Sequence, residues 1–249
     1  MASTSGDLRG MGELIEEQYA LIGHVRFCEG ILSLKPLSAK KSNTKRRKSR
    51  DEVYSTKCGM LNDLFDEFIV LSTKLRKEYL KSLGEKASNW EEMLRTIDTD
   101  MPYLFQVTYS KVSGTRRDIQ KQELMDFIPG YRLIHISELN YEKKKLNKIY
   151  NYYNNDKIQK IIPYLTNYSS DFICYGKMTD GRDIVVSIMH DEQKLTLMHE
   201  SIEKFFETIC EFYKDNVYFL DTDGYLDYDV EREGEVGAKI NENITYWIE

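Results

Sequence analysis

Between Ser201 and Tyr213 the chain places Ile202, Phe205, Phe206, Ile209, Cys210 and Tyr213 three and four residues apart. On a helix that spacing gathers the apolar side chains into one stripe, and such a stripe needs a surface to cover it. The surface is supplied just upstream. Phe172-Ile-Cys-Tyr175 and Ile184-Val-Val-Ser-Ile188 read as strands within 171–177 and 182–189, joined by Met178-Thr-Asp-Gly-Arg182, where Gly accepts the positive φ of a tight hairpin. Leu195-Thr-Leu-Met-His199 adds a third, short strand, and Ser201 is the candidate helix cap, with Glu203 in the first turn. A hairpin backed by an amphipathic helix restricts this half of the chain to an α+β fold, a twisted, mainly antiparallel sheet flanked by helices.

Upstream the pattern is helical. Leu61, Leu64, Phe65, Phe68, Leu71 and Leu75 form a second stripe with Gly84 as its stop, and Leu14, Ile15, Tyr19, Ile22 and Val25 suggest an earlier helix. Between them Lys40 to Arg50 holds seven bases in eleven residues with nothing apolar to bury, which predicts a mobile loop. Asn89 to Ile97 and the segment after Pro102 read as short helices, the second stopping near Gly114. Phe127 to Ile136 reads as extended, bent at Pro129-Gly130, and 141–156 as a solvated helix or loop. Ile161-Ile-Pro-Tyr164 reads as a break. These observations divide the chain into a helical extension over 1–87, carrying the basic loop at 40–50, and an α+β domain over 88–249.

Charge follows the same division. Residues 1–87 carry 16 Lys+Arg and 12 Asp+Glu, leaving 19 and 29 in the remainder. The segment 215–249 alone has ten acids against Arg232 and Lys239. The basic run at 40–50 has no aromatics among its bases and the remainder of the chain is acidic, which argues against nucleic acid and toward a basic protein partner. Four cysteines without Cys-x-x-Cys spacing read as free thiols, and a polar amino-terminus with no long apolar run predicts a cytoplasmic protein without a membrane span.

No motif for chemistry stands out. The nucleophile elbow, the phosphate loop and the dinucleotide fingerprint are absent, and no catalytic residue is assigned. His190 with Asp191 and His199 with Glu200 lack the spacing that focuses metal ligands. A calcium loop centred on Gly224 would require oxygen ligands at Phe219 and Val230, so neither a metal nor a cofactor is expected.

Several pieces occur in a telling order. Pro102-Tyr-Leu-Phe-Gln-Val-Thr-Tyr109 ends in Ser113-Gly114, and Ile128-Pro-Gly-Tyr-Arg-Leu133 leads to Ile136-Ser-Glu-Leu139. Ile161-Ile-Pro-Tyr164 then precedes the Asp180-Gly181 hairpin, and Ser201-Ile-Glu-Lys-Phe-Phe206 opens the last helix. This series resembles the SUKH superfamily, which includes fungal cell-wall-synthesis regulators and bacterial immunity proteins that neutralise a sister toxin. The resemblance covers a little over half the chain. It departs from the family in lacking an acid directly after Pro102 and in its Lys- and Asn-rich 141–160 insert; residues 1–87 have no counterpart. It implies a helix-backed sheet and a non-catalytic binding role.

For that role the sequence offers an acidic, tyrosine-rich tail. Tyr218, Tyr225 and Tyr228 interleave with Asp221, Asp223, Asp227 and Asp229. Tyrosines give rigid amphipathic anchors and carboxylates steer a basic partner. The expectation is an immunity protein masking a cognate toxin's active site; the alternative is a regulatory or scaffold protein of the fungal type. The same residues could instead merely solvate a terminal hairpin with Tyr225 and Leu226 on its core face.

Overall fold

The computed structural model describes residues 44–150, 156–167, 169–192 and 195–248, with side chains described from 56 onward. The chain divides at Glu52, and the compact unit runs Val53–Glu249. The predicted helix around Leu14–Val25 and Cys28 lie outside the described residues.

Helix α1 (Thr44–Leu75) is followed by the single turn α2 (Tyr79–Ser82), α3 (Trp90–Ile97) and α4 (Tyr103–Tyr109). Strand β1 (Arg132–Leu133) and α5 (Leu139–Tyr150) precede a run of four strands, β2 (Ile158–Thr166), β3 (Phe172–Met178), β4 (Asp183–Ile188) and β5 (Leu195–His199). Helix α6 (Ile202–Lys214), the hairpin β6 (Tyr218–Leu220) and β7 (Leu226–Tyr228), and α7 (Val230–Ile240) complete the order, with a 3₁₀ turn at Thr245–Trp247. Strands β1 to β5 form one antiparallel sheet in sequence order, and β6–β7 a separate ribbon. The fold is α+β.

Both faces of the sheet are covered, which is why its central strands read as continuous apolar runs. Alternation sends Ile173 and Tyr175 to one side, where Tyr175 meets Phe105 of α4 at 6.3 Å between ring centroids. Phe172 and Cys174 take the other side, where Lys145 of α5 lies 5.7 Å from the Phe172 ring. Helix α5 answers the open question over 141–150: it is a helix that buries Leu139, Glu142 and Leu146.

Helix α6 is covered twice. Phe205 turns to the sheet, 6.2 Å from Tyr164 and 5.3 Å from His199. Phe206 turns away, 5.8 Å from Phe65 of α1 and 6.2 Å from Phe127. Phe68 completes this cluster, 4.3 Å from Phe127. The apolar stripe of α1 therefore belongs to the core, and the division read at 87/88 falls inside the compact unit. Arg76, just beyond α1, ties the seam together. It is 2% exposed, stacks 3.7 Å from the Tyr79 ring centroid, donates to the Asp126 carbonyl at 2.6 Å and to the Tyr213 hydroxyl at 2.5 Å.

Two further sequence expectations change. Residues 44–50 of the basic run are the first turns of α1 and no loop. Lys and Arg are good helix formers, and extending a helix already anchored in a core avoids the cost of nucleation. Ile161-Ile-Pro-Tyr164 lies within the longest strand and is no break. Pro163 sits at an irregularity between its own pairing with Cys174 and that of Leu165 with Ile173. Strand β1 pairs only with Leu165 and Thr166, so Pro163 lies beyond it, at an edge that tolerates a lost donor.

Candidate functional site

The tyrosine-rich tail folds into the β6–β7 hairpin and α7. Asp221 builds the turn: its Oδ1 accepts from the Asp223 and Tyr225 amides at 2.9 and 2.8 Å, an Asx turn that Gly224 completes with φ +84°. Tyr218 pairs with Tyr228, Phe219 with Asp227, and Leu220 with Leu226. Asp229 then caps α7, its Oδ1 accepting from the Arg232 amide at 3.1 Å, and Glu231 and Glu233 occupy the first turn where the helix dipole favours acids.

The pairing separates the seven residues chosen from sequence into two groups. Tyr218 is only 4% exposed and points inward with Leu226, so it is removed from the outward surface. A two-residue alternation puts Phe219, 38% exposed, in the outward position instead. Tyr228 is half-buried and also faces inward. Tyr225, at 47%, and Asp223 are exposed at the turn, while Asp227 is half-buried opposite Phe219. Asp221 and Asp229 spend a carboxylate oxygen on the turn and the cap. Val230, 70% exposed at the start of α7, and Glu231 and Glu235 are also exposed. A Glu123 carboxylate oxygen lies close to Gly224, adding another acid from outside the tail.

What sequence reasoning missed was α7. Its signals are Asp229 as cap, acids in the next turn, and Val230, Glu233, Gly237 and Ile240 at three- and four-residue steps. The acids concealed the helix because they read as one solvated run. Gly237 is needed where it stands: a Cβ there would fall 2.1 Å from Trp247 Cε3. Trp247 in turn donates from Nε1 to the Met198 carbonyl of β5 at 2.7 Å, fastening the terminal turn to the sheet.

Elsewhere the structure brings His190, Asp191 and Asp171 together, with one possible ligand atom from each within 4.8 Å. Linear spacing could not show this, because Asp171 is 19 positions away from His190. Asp171 Oδ1 accepts from the His190 amide at 2.8 Å and lies 2.8 Å from His190 Nδ1, while Oδ2 accepts from Asn167 at 2.7 Å. Burial opposes ionisation of Asp171, yet these hydrogen bonds hold its carboxyl below the usual range. The arrangement closes the β2–β3 and β4–β5 connections against each other. His199, by contrast, is buried, and burial pushes its pKa down to about 3 despite a bond to Asn241.

Fold and site together define an α+β domain presenting an acidic hairpin with exposed aromatic side chains. No family model matches this chain, and no curated protein matches it either. Among the described residues no helix is long and apolar enough to cross a membrane.

Proposed function

We propose that this protein is a non-catalytic protein-binding module of the SUKH type, and that it acts as an immunity protein masking the active site of a cognate toxin. The observation that carries the reading is the outward face of the β6–β7 hairpin. Phe219 and Tyr225 stand exposed there with Asp223 and the half-buried Asp227, and Val230 and Glu231 are exposed at the start of α7, which follows directly. Exposed apolar side chains gain by burial against a partner, and a rim of one charge selects a partner of the other. A toxin that acts on nucleic acid must be basic where it grips phosphate, so such a face can occupy that groove.

The test is affinity purification of the tagged protein from its native host, followed by measured binding of the partner recovered. A single basic partner is expected, whose activity the protein suppresses. Asp223→Lys with Asp227→Lys should weaken binding by about tenfold or more through slower association, with a smaller difference at high salt. Asp229 is left intact in this variant because it caps α7. Unchanged affinity in the double variant places the contact elsewhere. Recovery of several partners, none with its activity suppressed, returns the regulatory or scaffold reading.

A further inference from the structure

The inward face of the β6–β7 hairpin covers a cavity of about 290 Å³. Tyr218, Tyr228, Glu233, Tyr246, Trp247 and His199 are among the residues that line it. Glu233 is the unusual member. Its neighbours Glu231 and Glu235 are exposed, whereas Glu233 is half-buried on the side of α7 that lines the cavity. Among the described residues its carboxyl has no hydrogen-bond or ion-pair partner, and neither do the hydroxyls of Tyr218, Tyr228 and Tyr246.

The polarity of the cavity has one sign. Asn241 donates from Nδ2 to Thr208 and to the Gly237 carbonyl, both at 3.0 Å, so the Asn241 oxygen 3.1 Å from His199 Nδ1 is the acceptor. The His199 proton is thereby assigned to Nδ1, and Nε2 keeps a lone pair. No Lys or Arg lines the cavity. One carboxyl, four phenol oxygens (Tyr131, whose hydroxyl donates to the Met189 sulfur, and the three above), an imidazole lone pair and aromatic walls all favour positive charge.

We propose that this cavity binds a small methylated-ammonium compound, its cationic head held by Glu233 among Tyr218, Tyr228, Tyr246 and Trp247. The choice of cation follows from the walls. A metal ion needs several oxygen ligands, and the cavity has one carboxylate. A guanidinium must match five N–H donors in a fixed fork and a primary ammonium is strongly hydrated, so either costs more to desolvate in an aromatic-walled cavity. A methylated ammonium carries few or no N–H donors, and aromatic faces satisfy it. The volume lies at the small end of small-molecule sites, which start near ~300 Å³.

The carboxyl adds a signature. Burial raises the Glu233 pKa to about 7, and a bound cation favours its ionised form, so binding below that pH releases a proton. The groups facing it do not interfere. Burial moves Tyr218, Tyr228 and Tyr246 upward, and His199 stays neutral with its pKa near 3. Affinity should therefore rise from pH 6 to pH 8.

Calorimetric titration of the full chain with choline tests the proposal, using 3,3-dimethylbutan-1-ol as the uncharged isostere. Choline should bind at least about tenfold more tightly than the isostere, a contrast that needs no variant. Glu233→Gln, with unchanged near-ultraviolet circular dichroism, should lose about tenfold in choline affinity and the pH dependence with it. Equal binding of the isostere, or no binding at about 10 mM choline, overturns the proposal. A trimethyl-lysine peptide that outcompetes choline also overturns it, assigning the cavity to a modified protein instead of a small molecule.

Discussion

Glu233 and His199 line one cavity and are displaced from their ordinary titration in opposite directions. Burial raises Glu233 to about 7, so between its unfolded value near 4.5 and that point the folded chain holds the extra proton. Folding is therefore favoured at the acidic end of this window, and that advantage is lost as pH rises through it. His199, lowered to about 3 from 6.5, works the other way: the unfolded chain takes the proton first, and stability falls as pH drops below 6.5. Substituting Glu233 separates the two. Glu233→Gln should exceed the parent protein in stability at pH 8 by about 1–2 kcal/mol, the shift being discounted for partial exposure, and should match it at pH 4. Denaturant titration at both pH values measures this. Equal stabilities at pH 8 would show that the carboxyl is better solvated than its position implies.

At the scale of elements, the local patterns with one dominant period were readable from the residues. The Thr-Asp-Gly turn forms a hairpin in which Gly181 has φ +92°, and the Ser201 hydroxyl accepts from the Lys204 amide at 3.1 Å to cap α6. Elements whose signal competes with another were not readable. Helix α7 was hidden by its acids, the first turns of α1 by their bases, and the middle of β2 by Pro163. In each case a neighbour decides: the cap and Trp247 for α7, the core stripe for α1, the short reach of β1 for Pro163. The candidate surface was legible in composition but not in orientation, since only the strand register separates Tyr218 from Phe219. Asp229, read as a contact residue, has a second role in the cap. Asp229→Ala should cost about 1 kcal/mol and speed amide exchange in α7 ahead of the sheet. Exchange rates unchanged in α7 would mean that Trp247 alone holds the helix.

For the whole molecule, the decisive fact is that the core crosses the boundary drawn from composition. Phe65, Phe68, Arg76 and Tyr79 precede residue 88, and all are buried against later elements. The charge asymmetry that suggested an extension is a surface property, and surfaces change sign where cores do not. Loss of a buried Phe side chain costs about 3–5 kcal/mol, against a total stability of about 5–15 kcal/mol for a domain. A chain beginning at residue 88 should therefore show no cooperative unfolding transition, whereas the full chain should show one, as followed by circular dichroism in urea. A sharp transition in the shorter chain would place the stability of the unit in the sheet alone.

The Arg76 clasp also has a kinetic consequence. The sheet is a meander whose strands find their neighbours locally, but Arg76 meets Tyr213 across 137 positions of chain. Closing so long a loop is entropically slow compared with zipping successive hairpins. During refolding the strands should thus assemble first, with the flank of Phe206 that meets Phe65 and Phe68 uncovered until α1 arrives. That interval is when the chain is most exposed to self-association.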